Sequence, residues 1–567
     1  MKIIKTHLHL SVALTVGLAT MFFWGAIHPE MLSWQEQNQL FLLTSDYLLE
    51  HLAVAGGWAD YLGEAIIQFC FYPWAGALLI ALVAMAEYAI AARLCRTLRL
   101  WSKGADGGSL AIEAGTALCI CLLTLWTMAD HETMFGYVVA LTLSMLGTWA
   151  IAAMWRRLDG RRPWLRHFVT LLALPCLYWL CGPVAVIAAG IVCLCCLLGS
   201  GSRLKAISIA LGYAIWAAVS LMLMRQWFLA QYPYGTVLLG INYYRATLLS
   251  VSAPALLSLM YPAVVLMLVL AASLPQRIGS AVAGCLSGVA LICALTSFDA
   301  DVTLLLRECQ AVRKGDWKGV LSLVDESRKH DRAALLDPAS LTSQNLALAM
   351  EGRLATDIFR YPQRGLSGLL QHRQKDNFSN ISTMEAFWQL GFINESQRYA
   401  FDIQESIPNC RKSGRFTLRL AECHLVNGRY EVADKYLDLL AHSLFYAPIA
   451  QRVRSYCGNE EMINHHPVWG KKRQQRLRAD FLYYYPEMHK MLGQLLMQDR
   501  TNKLAYDYYM SSLILQGKQD SFVASLPHQP APGQDPFPPG YHDYVNWMQQ
   551  HALTAPDAES GASPQLR

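Results

Sequence analysis

The sequence predicts an all-α chain in two parts: a polytopic α-helical membrane domain of about nine spans, then a soluble domain of helical repeats. Three observations predict it. Hydrophobic residues make up 54% of the 567 and charged residues only 16%, against roughly 25% charged in an ordinary soluble domain. The apolar runs stop near Phe298, and from Asp299 charges occur throughout, with no run near the roughly 20 apolar residues a helix needs to cross a bilayer. The polar part shows helical, not alternating, periodicity. The expected divisions are residues 1–298 as the transmembrane domain with a long first loop at 28–72, residues 299–526 as the helical-repeat domain, and residues 527–567 as a Pro-rich linker and disordered tail.

Nine spans are expected at about 8–27, 73–92, 109–128, 136–155, 165–182, 183–200, 206–224, 253–272 and 279–298. The first has a basic start and a long apolar core with no A-x-A-like site after it, so it reads as an uncleaved span rather than a signal peptide. The fifth and sixth are separated only by a tight turn at Cys181-Gly182-Pro183, with Pro183 opening the next helix.

The loops divide by charge. Lys2, Lys5, Arg93, Arg96, Arg99, Lys103, Arg156, Arg157, Arg161, Arg162, Arg166, Arg203, Lys205 and Arg277 fall on one side. The opposite loops, 28–72, 129–135 and 225–252, hold only Arg225 and Arg245. The positive-inside rule then places the N-terminus in the cytoplasm and the soluble half outside, which in a Gram-negative cell is the periplasm. The net charge of +5 is thus a topology signal, and no nucleic-acid partner is expected. Cys193, Cys195 and Cys196 read as small apolar packing. Cys309, Cys410, Cys423 and Cys457 match no zinc spacing, and in an oxidising compartment one or two disulfides among them are open. No cofactor or metal is expected. Phosphate-loop, dinucleotide and nucleophile-elbow motifs are absent from the sequence.

Within the first loop, residues from Ser33 to His51 read as an amphipathic helix with Leu40, Leu43, Tyr47 and Leu48 on one face, and Gly56–Gly57 as a break before a second. Both are expected to lie on the membrane surface. Asp46 and Glu50 are spaced i,i+4, as are Asp60 and Glu64. Most of these acids read as solvated faces; Glu36, in the polar patch "QEQNQ", is the first candidate for chemistry. Glu87 and Glu113 lie at membrane depth, where an ionisable residue suggests function; the simpler reading is snorkelling or pairing with Arg93.

In the soluble half, Gly391, Ser396 and Tyr399 recur as Gly428, Ala433 and Tyr436, with looser echoes from Gly315 and Gly517. Gly suits a turn of positive φ, and the small residue lets two helices approach. The pattern resembles tetratricopeptide repeats, with a generic helical bundle as the alternative.

The long, acidic first loop resembles that of the GT-C-fold glycosyltransferases. That resemblance implies transfer of sugar from a lipid-phosphate donor, with an early-loop carboxylate as base. Glu36 or Asp46 would be the catalytic residue here. Arg225 and Arg245 would face the phosphate, and Trp227, Tyr243 and Tyr244 would stack on sugar or isoprenoid. The usual Asp-Glu or Glu-x-Asp motif of that superfamily is absent. Over nearly the whole chain, "QEQNQLFLLTSDYLLEHL", "GGWADYLGEAIIQFCFYPWAGA", "FWQLGFINESQRYAFDI" and "NKLAYDYYMSSLILQGKQDSFVASLP" resemble the DUF6057 family of Bacteroidetes membrane proteins, which implies a two-part architecture and no activity. The expected partners are membrane lipid, a lipid-linked sugar, and an envelope protein on the repeats. The alternative function is a non-enzymatic, membrane-anchored scaffold that binds an envelope protein or peptide; a transporter is a third reading.

Overall fold

The computed structural model describes residues 2–103, 109–158, 163–199, 203–239, 252–330, 332–372, 376–407, 411–478, 484–528 and 538–552. Among them the elements are helices, with no β-strand. The chain divides into two compact units. The first is Met1–Phe298 with two short later pieces, Ile407–Arg411 and Ser443–Phe445; the second is the remainder from Asp299.

The first unit holds α1 (Lys2–Phe22), α2 (Pro29–Gln37), α3 (Ser45–Leu52), α4 (Gly57–Ile67), α5 (Pro73–Lys103), α6 (Leu110–Met128), α7 (Gly136–Arg157), α8 (Pro163–Cys181), α9 (Val186–Gly199), α10 (Arg203–Trp227), α11 (Tyr234–Leu239), α12 (Ser252–Ser273) and α13 (Gln276–Thr296). Seven described stretches are long and apolar enough to cross a membrane: His7–Ile27, Pro73–Ser102, Leu110–Met128, Gly136–Arg157, Trp164–Leu197, Leu204–Trp227 and Gln276–Thr296. Trp164–Leu197 covers both α8 and α9, which part at Gly182 (φ 70°). α12 itself runs 22 residues, Ser252–Ser273.

Small residues let these helices meet. Gly279, Ala283, Ser287, Ala290 and Ala294 form the buried face of α13. Ser287 Oγ donates to the Gly115 carbonyl on α6 at 2.8 Å, the close backbone approach that small residues allow between membrane helices.

Between α1 and α5 the chain folds into a layer of three short helices. This corrects the expected helix from Ser33 to His51. Asn38 ends α2, residues 39–43 are non-helical, and Thr44 caps α3 by accepting from the Tyr47 amide at 3.3 Å. A Thr side chain that bonds this amide competes with a continuous helix. Leu40 is consequently buried while Leu43 is exposed. The break at Gly56 is present, with φ 85°. Its amide donates to the Trp179 carbonyl at 2.9 Å, and Trp179 Nε1 donates to the Leu52 carbonyl at 3.1 Å. The α3–α4 turn is therefore pinned to α8. Farther along α4, Gly63 rests against the Gly136 backbone at the start of α7. In the later pieces, Phe445 stacks on Phe71 with centroids 5.6 Å apart.

The second unit is built from helices that pack in neighbouring pairs: α14 (Ala300–Lys314) with α15 (Trp317–Arg328); then, after α16 (Pro338–Met350) and α17 (Leu354–Asp357), α18 (Asn377–Leu390) with α19 (Ile393–Ser406), and α20 (Gly414–Val426) with α21 (Tyr430–Ala441). The turns within these pairs carry Gly315, Gly391 and Gly428 at positive φ. Ser396 and Ala433 are fully buried. Glu385 is buried between Arg415 (2.9 Å) and Arg419 (2.8 Å), and Arg419 lies over the Trp388 ring. Cys309, Cys423 and Cys457 are free thiols; Cys410 lies outside the described residues.

The Gly63–Gly136 contact yields a prediction. A methyl group on Gly63 would press into the Gly136 backbone, whereas one on Gly212 meets nothing within 4 Å. Gly63→Ala should cost about 1–3 kcal/mol, as overpacking does, and lower the thermal unfolding midpoint of the detergent-purified protein. Gly212→Ala should leave that midpoint unchanged or raise it.

Candidate functional site

The first inter-span layer encloses a cluster of ionisable side chains. Tyr47 and His51 lie one turn apart on α3, and Asp60 and Glu64 one turn apart on α4. Because the Gly56 turn folds α3 onto α4, the two faces meet. The Glu64 carboxylate accepts from the Tyr47 hydroxyl, lies 3.1 Å from His51 Nε2 and 2.7 Å from Arg411 Nε. His51 Nδ1 is 2.7 Å from the Tyr47 carbonyl. Arg411 also lies over the Tyr47 ring. Phe41 and Tyr61 pack edge-on around Tyr47 and His51, and Trp58 stacks on Tyr61. Glu64, Tyr47 and His51 are buried; Asp60 is half-buried, with its carboxylate against Gly136.

The environment separates the two carboxyls. Burial works to raise Glu64, but Arg411, with His51 and Tyr47, holds it below its ordinary value. For Asp60 burial wins: its carboxyl is pushed up to about 6, with Arg411 opposing and Glu64 adding to the rise. Burial, then Glu64, raises Tyr47 well above its ordinary value. Two carboxyls on one helix face with divergent proton affinities are the arrangement that assigns separate acid–base roles.

The residues singled out from the sequence are placed elsewhere. Glu36 is buried in the last turn of α2, and Asp46 is exposed in the first turn of α3. Arg225 donates from Nε to the Tyr232 carbonyl at 3.3 Å and lies 4.3 Å above the Tyr234 ring. Trp227 is exposed. Tyr243, Tyr244 and Arg245 lie outside the described residues. Sequence reading missed Asp60 and Glu64 as a site. Their i,i+4 spacing was visible, but the partner Arg411 lies hundreds of positions away and no local pattern joins them.

At the end of α1 a single π-helical turn, Phe23–Ile27, leads into His28 and Glu30. His28 Nδ1 is 3.0 Å from Glu30 Oε1, and its ring stacks on Phe298. Phe23 and Trp24 line a cavity of about 240 Å³ among α1, α5, α6, α7 and α13. Among the described residues that line it Glu87 is the one carboxyl, with Thr124 donating at 2.6 Å. Glu113 instead lies 3.3 Å from His9. Both acids are buried, so neither snorkels, and Arg93 is exposed; this corrects the expected pairing. Among the described residues no group of three or more His, Cys, Asp or Glu is arranged to hold a metal ion.

A family profile described as a family of unknown function, DUF6057, matches residues 2–562. The chain belongs to that family. No curated protein and no solved structure matches this DUF6057 chain.

The cluster makes two predictions. Removing Arg411 leaves a buried carboxylate without its strongest cation, a loss of about 3–5 kcal/mol for a buried pair. Arg411→Met should therefore lower the unfolding midpoint sharply, and Arg411→Met with Glu64→Gln should recover much of the loss; thermal unfolding of the four proteins checks it. The second concerns pH. Folded Asp60 keeps its proton up to about pH 6, whereas its ordinary value is 3.8, so between these values the folded state binds more protons and acidification favours it. Asp60→Asn should remove that gain, seen as a flatter dependence of stability on pH from 6 down to 4.

Proposed function

We propose that this DUF6057 protein is a multi-pass protein of the bacterial inner membrane that transfers a glycan unit from a lipid-phosphate carrier on the periplasmic face. One observation carries the reading: a half-buried carboxyl, Asp60, raised to about 6 in the same cluster as the guanidinium of Arg411. A general base works best with a pKa near the working pH. A preorganised cation stabilises charge that develops on a leaving phosphate. In this reading Asp60 takes the acceptor hydroxyl's proton. The acceptor oxygen bonds to the anomeric carbon as the carbon–oxygen bond to phosphate breaks, and Arg411, oriented by Glu64, faces the departing phosphate. Asp60 takes the role expected of Glu36 or Asp46, because it shares a cluster with a cation while Asp46 stands exposed at the surface. Orientation follows from the skewed loop charges, and the three short helices after α1 give the reading its likeness to the GT-C transferases.

The test uses full-length protein in lipid nanodiscs, a polyprenyl-phosphate-linked sugar and release of polyprenyl phosphate as the readout. The rate should rise through pH 6 as Asp60 ionises. Asp60→Asn should lower it about 10²–10⁴-fold, the usual range for a lost general base, with folding unchanged. A rate indifferent to Asp60 would sink the transferase reading. It would leave the membrane-anchored scaffold, with its Gly-turned helix pairs in the second unit as the binding part.

A further inference from the structure

The cavity beside Glu87 is separate from the Asp60 cluster, and its chemistry points to a different ligand. Its lining is almost wholly aliphatic and aromatic, running from Ile80, Ala84 and Glu87 on α5 to Trp24, Leu295 and Phe135. A dry protein cavity of about 150 Å³ already holds benzene; this one, at about 240 Å³, is larger and lies between five helices. No Lys, Arg or His is among the described residues that line it. Glu87 is only 1% exposed, and among the described residues its hydrogen-bond donor is Thr124. A bare charge at membrane depth is costly, so a carboxyl facing this cavity ionises only against a cation, and a ligand with an ammonium end supplies one. With no basic side chain among the described lining residues, the cavity offers a lipid phosphate no partner, so this is not the place where a phosphorylated carrier's head would rest.

We propose that this cavity binds a single-chain amphiphile whose polar end is a protonated amine: the chain fills the apolar space and the ammonium pairs with Glu87. The inference does not depend on the transferase reading, because none of Asp60, Glu64 and Arg411 lines the cavity.

The test is photocrosslinking of the full-length protein in nanodiscs with diazirine-bearing octylamine, compared with the matching alcohol and carboxylic acid. The amine should label peptides containing residues 16–24, 118–128 and 291–295 saturably, and unlabelled octylamine should compete. Glu87→Gln should weaken amine labelling at least about tenfold, equivalent to 1.4 kcal/mol, while alcohol labelling changes little. Ala84→Phe, which fills the cavity from α5, should abolish labelling there by all three probes. If that variant is not monodisperse, Ala19→Phe fills the same space from α1. Asp60→Asn should label as the unaltered protein does, which separates this site from the transferase cluster. Equal labelling by amine and acid, amine labelling indifferent to Glu87→Gln, or labelling spread over other helices would each overturn the proposal.

Discussion

The first inter-span layer depends on how Glu64 is compensated. A buried carboxylate is tolerated only when cations and hydrogen-bond donors replace the water it loses. Here a guanidinium at 2.7 Å, an imidazole at 3.1 Å and a phenol surround it, so three separate pieces of chain meet: α4 with Glu64, α3 with His51 and Tyr47, and the piece ending at Arg411. Meeting that requirement fixes the angle at which α3 folds back on α4 and the place where Arg411 must sit. The aromatic rings around the cluster exclude water, which strengthens each of these pairings.

Glycine supplies the other half of the arrangement. The Gly56 turn, in the left-handed region, lies against the Gly182 turn between α8 and α9, and Gly63 lies against Gly136. A side chain at either contact would hold α4 away from α7 and α8. Asp60 would then lose the half-buried position that raises its carboxyl. Packing and acid–base character are therefore one constraint: the close approach of backbones creates the environment that sets Asp60 apart from Glu64.

Deeper in the bundle the same logic acts with the opposite outcome. Glu87 is as buried as Glu64 but meets a hydroxyl and an aliphatic cavity instead of a guanidinium and an imidazole. The Glu64 cluster is complete within the chain. The Glu87 site is complete only with a ligand that brings the counter-charge.

Much of the architecture was legible in the order of residues. The apolar runs ending near Phe298, the helical period of the second half, and the Gly315, Gly391 and Gly428 turns are local signals, because hydropathy and backbone preference act over a few residues. The Gly56 break was legible for the same reason. The non-helical segment at 39–43 was not: the apolar period of Leu40 and Tyr47 was continuous, and Thr44's bond to the Tyr47 amide outweighed it. The site was least legible of all. Sequence alone marked Asp60 and Glu64 as a like-charge pair that repels, since at i,i+4 spacing on an isolated helix it does. Tertiary structure decided that they differ, by bringing His51 across a turn and Arg411 from far along the chain to Glu64 while setting Asp60 against a glycine. Ionisation depends on burial and on charges within a few ångströms, and those neighbours are chosen by the fold, not by position in the chain.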